Sequence, residues 1–247
     1  MRSIPTALSV LAAFLIVLML GLTGCGGEAP QSGTSEGASE AETVTETAGE
    51  PTEEAVSEEE TMAEHDGPMA TLQYIENGRR MTRDVPYLPD GRKVATIETE
   101  KGIIQIELWE EHAPNTVINF VSLANSGRYD GVEFHRIIDG FMAQTGDVEG
   151  KGGYGGPGYM IPAEFNAELK HERGVVSMAR STDPDSAGSQ FFIMLAEAGH
   201  LDGQYAAFGK VISGMDVVDA LKKGDKANNG KVDDPDVMTK VRVATVE

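Results

Sequence analysis

Phe134-His135-Arg136-Ile137-Ile138-Asp139-Gly140-Phe141-Met142-Ala143-Gln144 is the stretch on which the reading of this chain turns. It falls in two runs rich in β-branched and aromatic residues, Val132 to Ile137 and Phe141 to Thr145, and each reads as a short strand. Alternation in the first run predicts that Phe134 and Arg136 share a face, which sets one cation among large apolar side chains. His135 then faces the other way, as a core imidazole with satisfied nitrogens. Further along come Gly188-Ser189-Gln190-Phe191-Phe192, Leu201-Asp202-Gly203 and Phe208-Gly209-Lys210.

Outward from this stretch the pattern stays mainly β. Val94 to Thr99 and Ile103 to Trp109 read as a hairpin around Lys101-Gly102, with Ile104, Ile106 and Leu108 on one buried face. Val175 to Met178, Phe191 to Leu195, Ala206 to Val211 and Lys240 to Val246 read as further strands. Pro114 suits the first turn of a helix, and Val117, Phe120, Val121 and Ala124 recur at helical spacing before Gly127. A second helix is predicted from Met215 to Lys223, with two lysines at the negative end of the dipole and Gly224 as its stop. Residues 68–92 read as a small extension, with a strand from Thr71 to Ile75 and a hairpin turn at Asn77-Gly78. About eight strands and two helices fit either a closed barrel or a sandwich.

Taken together, these motifs resemble the cyclophilin-type peptidyl-prolyl cis-trans isomerases over roughly Val94 to Val246, in the family's order and spacing. The resemblance implies a closed eight-stranded antiparallel barrel capped by two α-helices, over residues 93–247. It implies an enzyme that needs no cofactor, acts on X-Pro bonds of proline-containing peptides and assists the folding of unfolded proteins. Arg136, Gln144 and Phe192 occupy the family's catalytic positions. Phe141, Met142, Phe192 and Leu201 match its proline slot, and Ala179, Arg180, Gln190, His200 and Tyr205 match positions along the peptide groove, with a backbone group near Ala179 expected to bind the substrate chain.

The chemistry suits those residue types. Rotation about X-Pro loses amide resonance against a barrier of roughly 18–20 kcal/mol and neither makes nor breaks a covalent bond. No nucleophile is required. A donor aimed at the prolyl nitrogen as the amide twists, beside an apolar slot that grips the ring, supplies what is needed; a ~10⁵-fold acceleration asks for about 7 kcal/mol of preferential stabilisation. In the resemblance Arg136 is that donor and Gln144 its brace. A peptide-binding chaperone or scaffold with little turnover is the rival reading, and retention of both Arg136 and Gln144 favours the enzyme.

Three positions depart from the family pattern. His200 stands where many members carry Trp, which bears on binding of the inhibitor cyclosporin more than on isomerisation. Tyr205 stands where His is common, and Arg180 replaces a common Asn, a change that bears on preference for residues before the proline. Gly150-Lys151-Gly152-Gly153-Tyr154-Gly155 matches a dinucleotide-binding pattern formally, but Gly156-Pro157-Gly158 follows where a helix should open. It reads as a loop on the barrel rim. The five histidines lack paired ligand spacing and have no partner cysteines, so no metal is expected. Ser186 and Ser189 near His200 and Asp202 lack the elbow of a serine hydrolase.

The first 24 residues read as an export signal: Arg2, an apolar run from Ala7 to Leu20, then Leu22-Thr23-Gly24-Cys25. That ending resembles a bacterial lipobox, which would place the lipid on Cys25, the only cysteine of the chain. An uncleaved membrane anchor is the alternative, for which the apolar run is short against the ~20 residues a span needs. Residues 25–67 carry thirteen acidic side chains and no Lys or Arg, and they read as a disordered, solvated tether. The expected location is therefore extracytoplasmic, held to the membrane by lipid, with exported proteins as clients. The formal net charge of −20 argues against nucleic acid and for a monomer.

Overall fold

The computed structural model describes residues 65–247; the signal, Cys25 and nearly all of the acidic segment lie outside them. The elements are β1 (Met69–Glu76), β2 (Arg79–Pro86), β3 (Arg92–Thr99), β4 (Gly102–Leu108), α1 (Pro114–Asn125), β5 (Val132–Glu133), β6 (Arg136–Ile138), β7 (Met142–Thr145), β8 (Val175–Met178), β9 (Phe191–Met194), β10 (Ala207–Ser213), α2 (Met215–Ala220), β11 (Val237–Met238) and β12 (Lys240–Val246). Eight strands form one antiparallel sheet in the order β12-β3-β4-β10-β8-β9-β7-β6. The expected closure is corrected here: among the described residues no ladder joins β6 to β12. Between them the two-residue strands β5 and β11 pair with each other. Since β5 leads toward β6 and β11 leads into β12, this small pair stands at the seam.

The seam also breaks the strand expected over 132–137. Phe134 and His135 belong to neither strand; the Phe134 amide donates to Asp236 O at 2.9 Å and the Val232 amide to His135 O at 3.1 Å. Two residues outside the ladder reset the alternation. Phe134 is fully buried with Ile137 in the main core, whereas Arg136 turns to Gln144, so the predicted shared face does not exist.

Both faces of the central strands are buried. Phe191 and Ile193 of β9, Val176 and Met178 of β8 and Phe208 of β10 enter the main core, while Phe192 and Met194, Val175 and Ala207 enter a second, smaller cluster with Met142 and Leu201. In α1 the predicted stripe Val117, Phe120, Val121 and Ala124 is buried. Phe120 meets Tyr129, Phe191 and Phe208 with ring centroids 5.3, 5.4 and 5.3 Å apart, contacts worth ~0.5–1.5 kcal/mol each beyond their burial. Ala113 offers the helix no side-chain cap. Glu164, distant in sequence, supplies it: its carboxylate accepts the Asn115 and Thr116 amides at 3.0 and 2.7 Å, where the dipole favours negative charge.

The second helix is shorter than predicted. Leu221 turns extended and is 2% exposed. The Lys222 amide donates to Asp236 Oδ2 at 2.7 Å and the Gly224 amide to Ile137 O at 3.0 Å, so tertiary partners take the groups that further turns would have used. Lys223 still caps the helix end, its ammonium reaching Asp219 O at 2.8 Å.

The extension is a full hairpin, with all eight residues of β1 paired to β2. Asn77 and Gly78 take φ of 50° and 72°, the positive pair that a tight two-residue turn requires. Leu72 and Val85 enter the main core, and Asn115 of α1 exchanges two hydrogen bonds with the Gln73 backbone.

Candidate active site

β6, β7 and β9 place the candidate residues side by side: Arg136 lies opposite Gln144, and Gln144 opposite Phe192. Arg136 Nη1 donates to Gln144 Oε1 at 3.0 Å. Its Nε and Nη2 donate to Asn229 O and Oδ1, both at 2.9 Å. A guanidinium has five N–H groups; three are committed, and one on each terminal nitrogen is left to aim. Burial lowers the Arg136 pKa, yet an arginine starts so high that it stays charged at neutral pH.

Asn229 is absent from the sequence reading. It takes φ of 54° just before Gly230 at 77°, and Asn-Gly is the signal that could have marked a turn there. The turn is clipped to β6, with the Ile137 amide donating to Gly230 O at 2.8 Å and Arg136 bridging Lys231. A Cβ on residue 230 would collide with Ile138 Cγ1, so glycine is required both by approach and by φ.

Gln144 passes the chain on. Its Nε2 donates to Gln190 Oε1 at 2.9 Å, and Gln190 Nε2 donates to Gly153 O and Gly155 O at 2.9 and 2.8 Å. The glycine-rich loop is thus tied to the arginine through two amide side chains. From behind, Asp147 Oδ2 accepts the Gly153 amide at 2.6 Å. Burial pushes the Asp147 carboxyl up, but amide hydrogen bonds led by Gly153 outweigh it and hold the pKa below the ordinary range.

Met142, Phe192 and Leu201, the floor expected for a proline notch, pack in the smaller apolar cluster, 2%, 5% and 7% exposed, with Phe141 and Tyr205 partly buried against it. The exposed His200 stacks on Phe141 at 5.9 Å and 25°. Beneath the floor lies a buried relay: His171 Nδ1 is 3.0 Å from Asp202 Oδ1, and Nε2 is 2.8 Å from Ser177 Oγ. The His171 ring also stacks on Phe192 at 6.4 Å. The order resembles a hydrolytic triad, but Ser177 is fully buried and no substrate reaches it. The relay instead holds the floor. The Asp202 pKa falls to about 2, first through the His171 amide and then through its ring.

Ala179 and Arg180 follow β8 beside Gln190. The Ala179 amide is already spent on Gln190 O at 2.9 Å, which leaves its carbonyl to meet a peptide. Ser189 Oγ is bonded to Gly146 O and Ser186 Oγ to Asp183 O, apart from His200. His135 does face away from the groove, into a second cavity of about 280 Å³ with Glu133 and Asp147. Among the described residues neither ring nitrogen makes a well-formed hydrogen bond, and the Glu133 backbone is the one hydrogen-bonding group that acts on the ring, so the expected satisfied imidazole is met in part at most. Burial lowers its pKa, and the Asp147 charge and Glu133 backbone oppose this without cancelling it. Among the described residues no three His, Cys, Asp or Glu side chains gather as a metal site.

Comparison with known proteins assigns the region. Residues 94–243 match the family described as "Cyclophilin type peptidyl-prolyl cis-trans isomerase/CLD". The "Probable peptidyl-prolyl cis-trans isomerase" of Brucella suis is 46% identical over 169 residues, 64% of this chain and 84% of that one. The "Peptidyl-prolyl cis-trans isomerase" of Helicobacter pylori is 48% identical over 134 residues, 53% of this chain and 81% of that one. Among solved structures, a cyclophilin-type isomerase of Cryptosporidium parvum determined in the presence of the dipeptide Ala-Pro is 34% identical with a TM-score of 0.57, covering 62% of this chain and 99% of that one.

Proposed function

The chain belongs to the cyclophilin-type peptidyl-prolyl cis-trans isomerases, and from that premise we propose that Arg136 drives the isomerisation of X-Pro bonds held in the Phe141–Met142–Phe192–Leu201 notch. One observation carries this reading: a half-buried guanidinium, held on three of its N–H groups by Gln144 and Asn229, stands on the strand beside the notch floor. As the amide twists, the prolyl nitrogen pyramidalises and its lone pair becomes a hydrogen-bond acceptor. A pre-fixed donor meets that lone pair only in the twisted state, so its energy lowers the barrier rather than tightening substrate binding. The apolar floor adds to this by excluding water, which strengthens the bond.

The test is isomerisation of a short Ala-Pro peptide, or proline-limited refolding, by wild type and Arg136→Ala. A loss of roughly 10²–10³ in kcat/KM with the fold retained is expected; an unchanged rate overturns the assignment.

We further propose that the enzyme is exported, carries its lipid on Cys25 and assists folding of exported proteins as an extracytoplasmic monomer. The signal-like segment with its Leu22-Thr23-Gly24-Cys25 ending and the acidic residues 25–67 support this reading. Mass spectrometry of the mature N-terminus should find a diacylated Cys25; an intact or unmodified terminus refutes it.

A further inference from the structure

Behind Arg136 the chain buries a titratable ring. His135 is 9% exposed and lines the cavity of about 280 Å³ together with Arg128, Asp130, Glu133, Asp147 and Gly152. Its edge lies against the glycine-rich loop: a Cβ on Gly153 would come within 2.9 and 3.0 Å of the ring atoms Cδ2 and Nε2. Among the described residues neither ring nitrogen makes a well-formed hydrogen bond, and only the Glu133 backbone acts on the ring as a hydrogen-bonding group. Such a site suits the neutral imidazole. A buried imidazolium would carry a charge and two N–H donors with no acceptor placed for them.

The loop that the ring touches fixes the direction of the relay to the guanidinium. Gly153 O and Gly155 O can only accept, so Gln190 turns its Nε2 toward them, at 2.9 and 2.8 Å, and its Oε1 toward Gln144. Gln144 then gives its Nε2 to Gln190 at 2.9 Å and keeps Oε1 for Arg136 Nη1 at 3.0 Å. Two backbone carbonyls thereby hold two amide groups in one of their two orientations. Once those carbonyls withdraw, both amides are free to turn over, and a Gln144 Nε2 facing the guanidinium sets donor against donor. Asp147 pins the loop, its Oδ2 accepting the Gly153 amide at 2.6 Å and its Oδ1 the Glu149 amide at 3.3 Å.

Asp147 is also the charge that acts most strongly on the His135 ring. The other charged groups around it are Glu133 and Arg136 on its own segment, Arg128 and Asp130 across the cavity, and Lys231 beside Val232, whose amide donates to His135 O at 3.1 Å. Asp130 is paired with Arg242 at 2.8 Å, and in the loop Lys151 pairs with Glu149 at 3.0 Å. A protonated ring has two ways to find an acceptor: it takes Asp147 from the Gly153 amide, or it leaves the edge of Gly153 for a carboxylate of the cavity. Both withdraw support from the loop. We propose that His135 is a positioning residue for Arg136: its neutral ring holds the glycine-rich loop against the Gln190 and Gln144 relay, and protonation releases the loop and slackens the brace, so that acid lowers turnover.

This rests on the isomerase reading, and the experiment separates the two. kcat and KM for an uncharged Ala-Pro peptide are measured with the full chain from about pH 8 to about pH 5, while near-UV circular dichroism records that the fold persists. Asp147, held below the ordinary carboxylate range, stays charged over that span. Wild type should lose about five- to tenfold in kcat, the effect of one bracing hydrogen bond, with KM little changed and a midpoint below the ordinary histidine value near 6.5. His135→Gln, neutral at every pH, should show no acid limb. Should that variant not fold, the wild type still decides: the Gly153 and Gly155 amide resonances should shift with the same midpoint as the His135 ring, and invariant amides overturn the proposal. An acid limb that persists in His135→Gln assigns the titration to His171 or His200 and overturns it as well, as does a flat wild-type kcat; each leaves the isomerase reading intact. No turnover at about pH 8 overturns the isomerase reading itself.

Discussion

Phe191 and Phe192 are neighbours on one strand, yet they serve different halves of the molecule. Phe191 is fully buried among Phe120, Tyr129 and Phe208, whereas Phe192 lies on the opposite face with Tyr205, His171 and Leu201. The period of two that makes a strand half core also makes it half site. A sheet buried on both faces can hold the proposed site on the same backbone that its core makes rigid. That rigidity suits a reaction in which only positioned charge and a shaped apolar floor are required.

Substitutions should break that division in order of size. Phe191→Ala should cost ~3–5 kcal/mol of stability by chemical denaturation. Phe192→Ala should cost less stability, because the cluster it packs in is the smaller of the two, but should lower kcat/KM by at least tenfold; equal stability losses at both positions would remove the distinction between the faces. Gly230→Ala comes next, with ~1–2 kcal/mol expected from its positive φ and more from the collision with Ile138. Because Asn229 would shift with it, activity should fall further than stability. Asn229→Gly tests the brace alone: about a tenfold fall in kcat with KM and melting temperature little changed, since glycine tolerates the φ of 54° and the residue is exposed.

The smallest effect concerns pH. The folded-state pKa of His135 lies below its unfolded value near 6.5, so between the two the unfolded chain binds more protons. Stability should be flat in this component above pH ~6.5 and decline as pH falls from there through the folded value. His135→Leu should flatten that acid limb in urea melts at pH 7 and pH 5, and an identical pH slope would show that the ring does not titrate on unfolding.

Much of the fold was legible because it depends on local pattern. The strand over Lys240–Val246 and the buried stripe of α1 follow their periods, and the Asn77-Gly78 turn follows from residues that tolerate positive φ. Where long-range partners compete for the backbone, the local reading gave way. The second helix stops at Ala220 because Asp236 and Ile137 take the next amides, and the strand expected through Phe134 is interrupted because Asp236 and Val232 bond its backbone. None of these three competitors is near in sequence.

For the candidate site, the sequence by itself put Arg136, Gln144 and Phe192 on neighbouring motifs with apolar residues around them, since motif order is a property of the chain, but it did not show Asn229. Only the tertiary structure decided the geometry. It brought Asn229 onto the guanidinium across more than ninety residues and joined Gln144 through Gln190 to the glycine-rich loop. Hydrogen bonds and charge pairing depend on distance in space, and a linear pattern encodes that distance only for near neighbours.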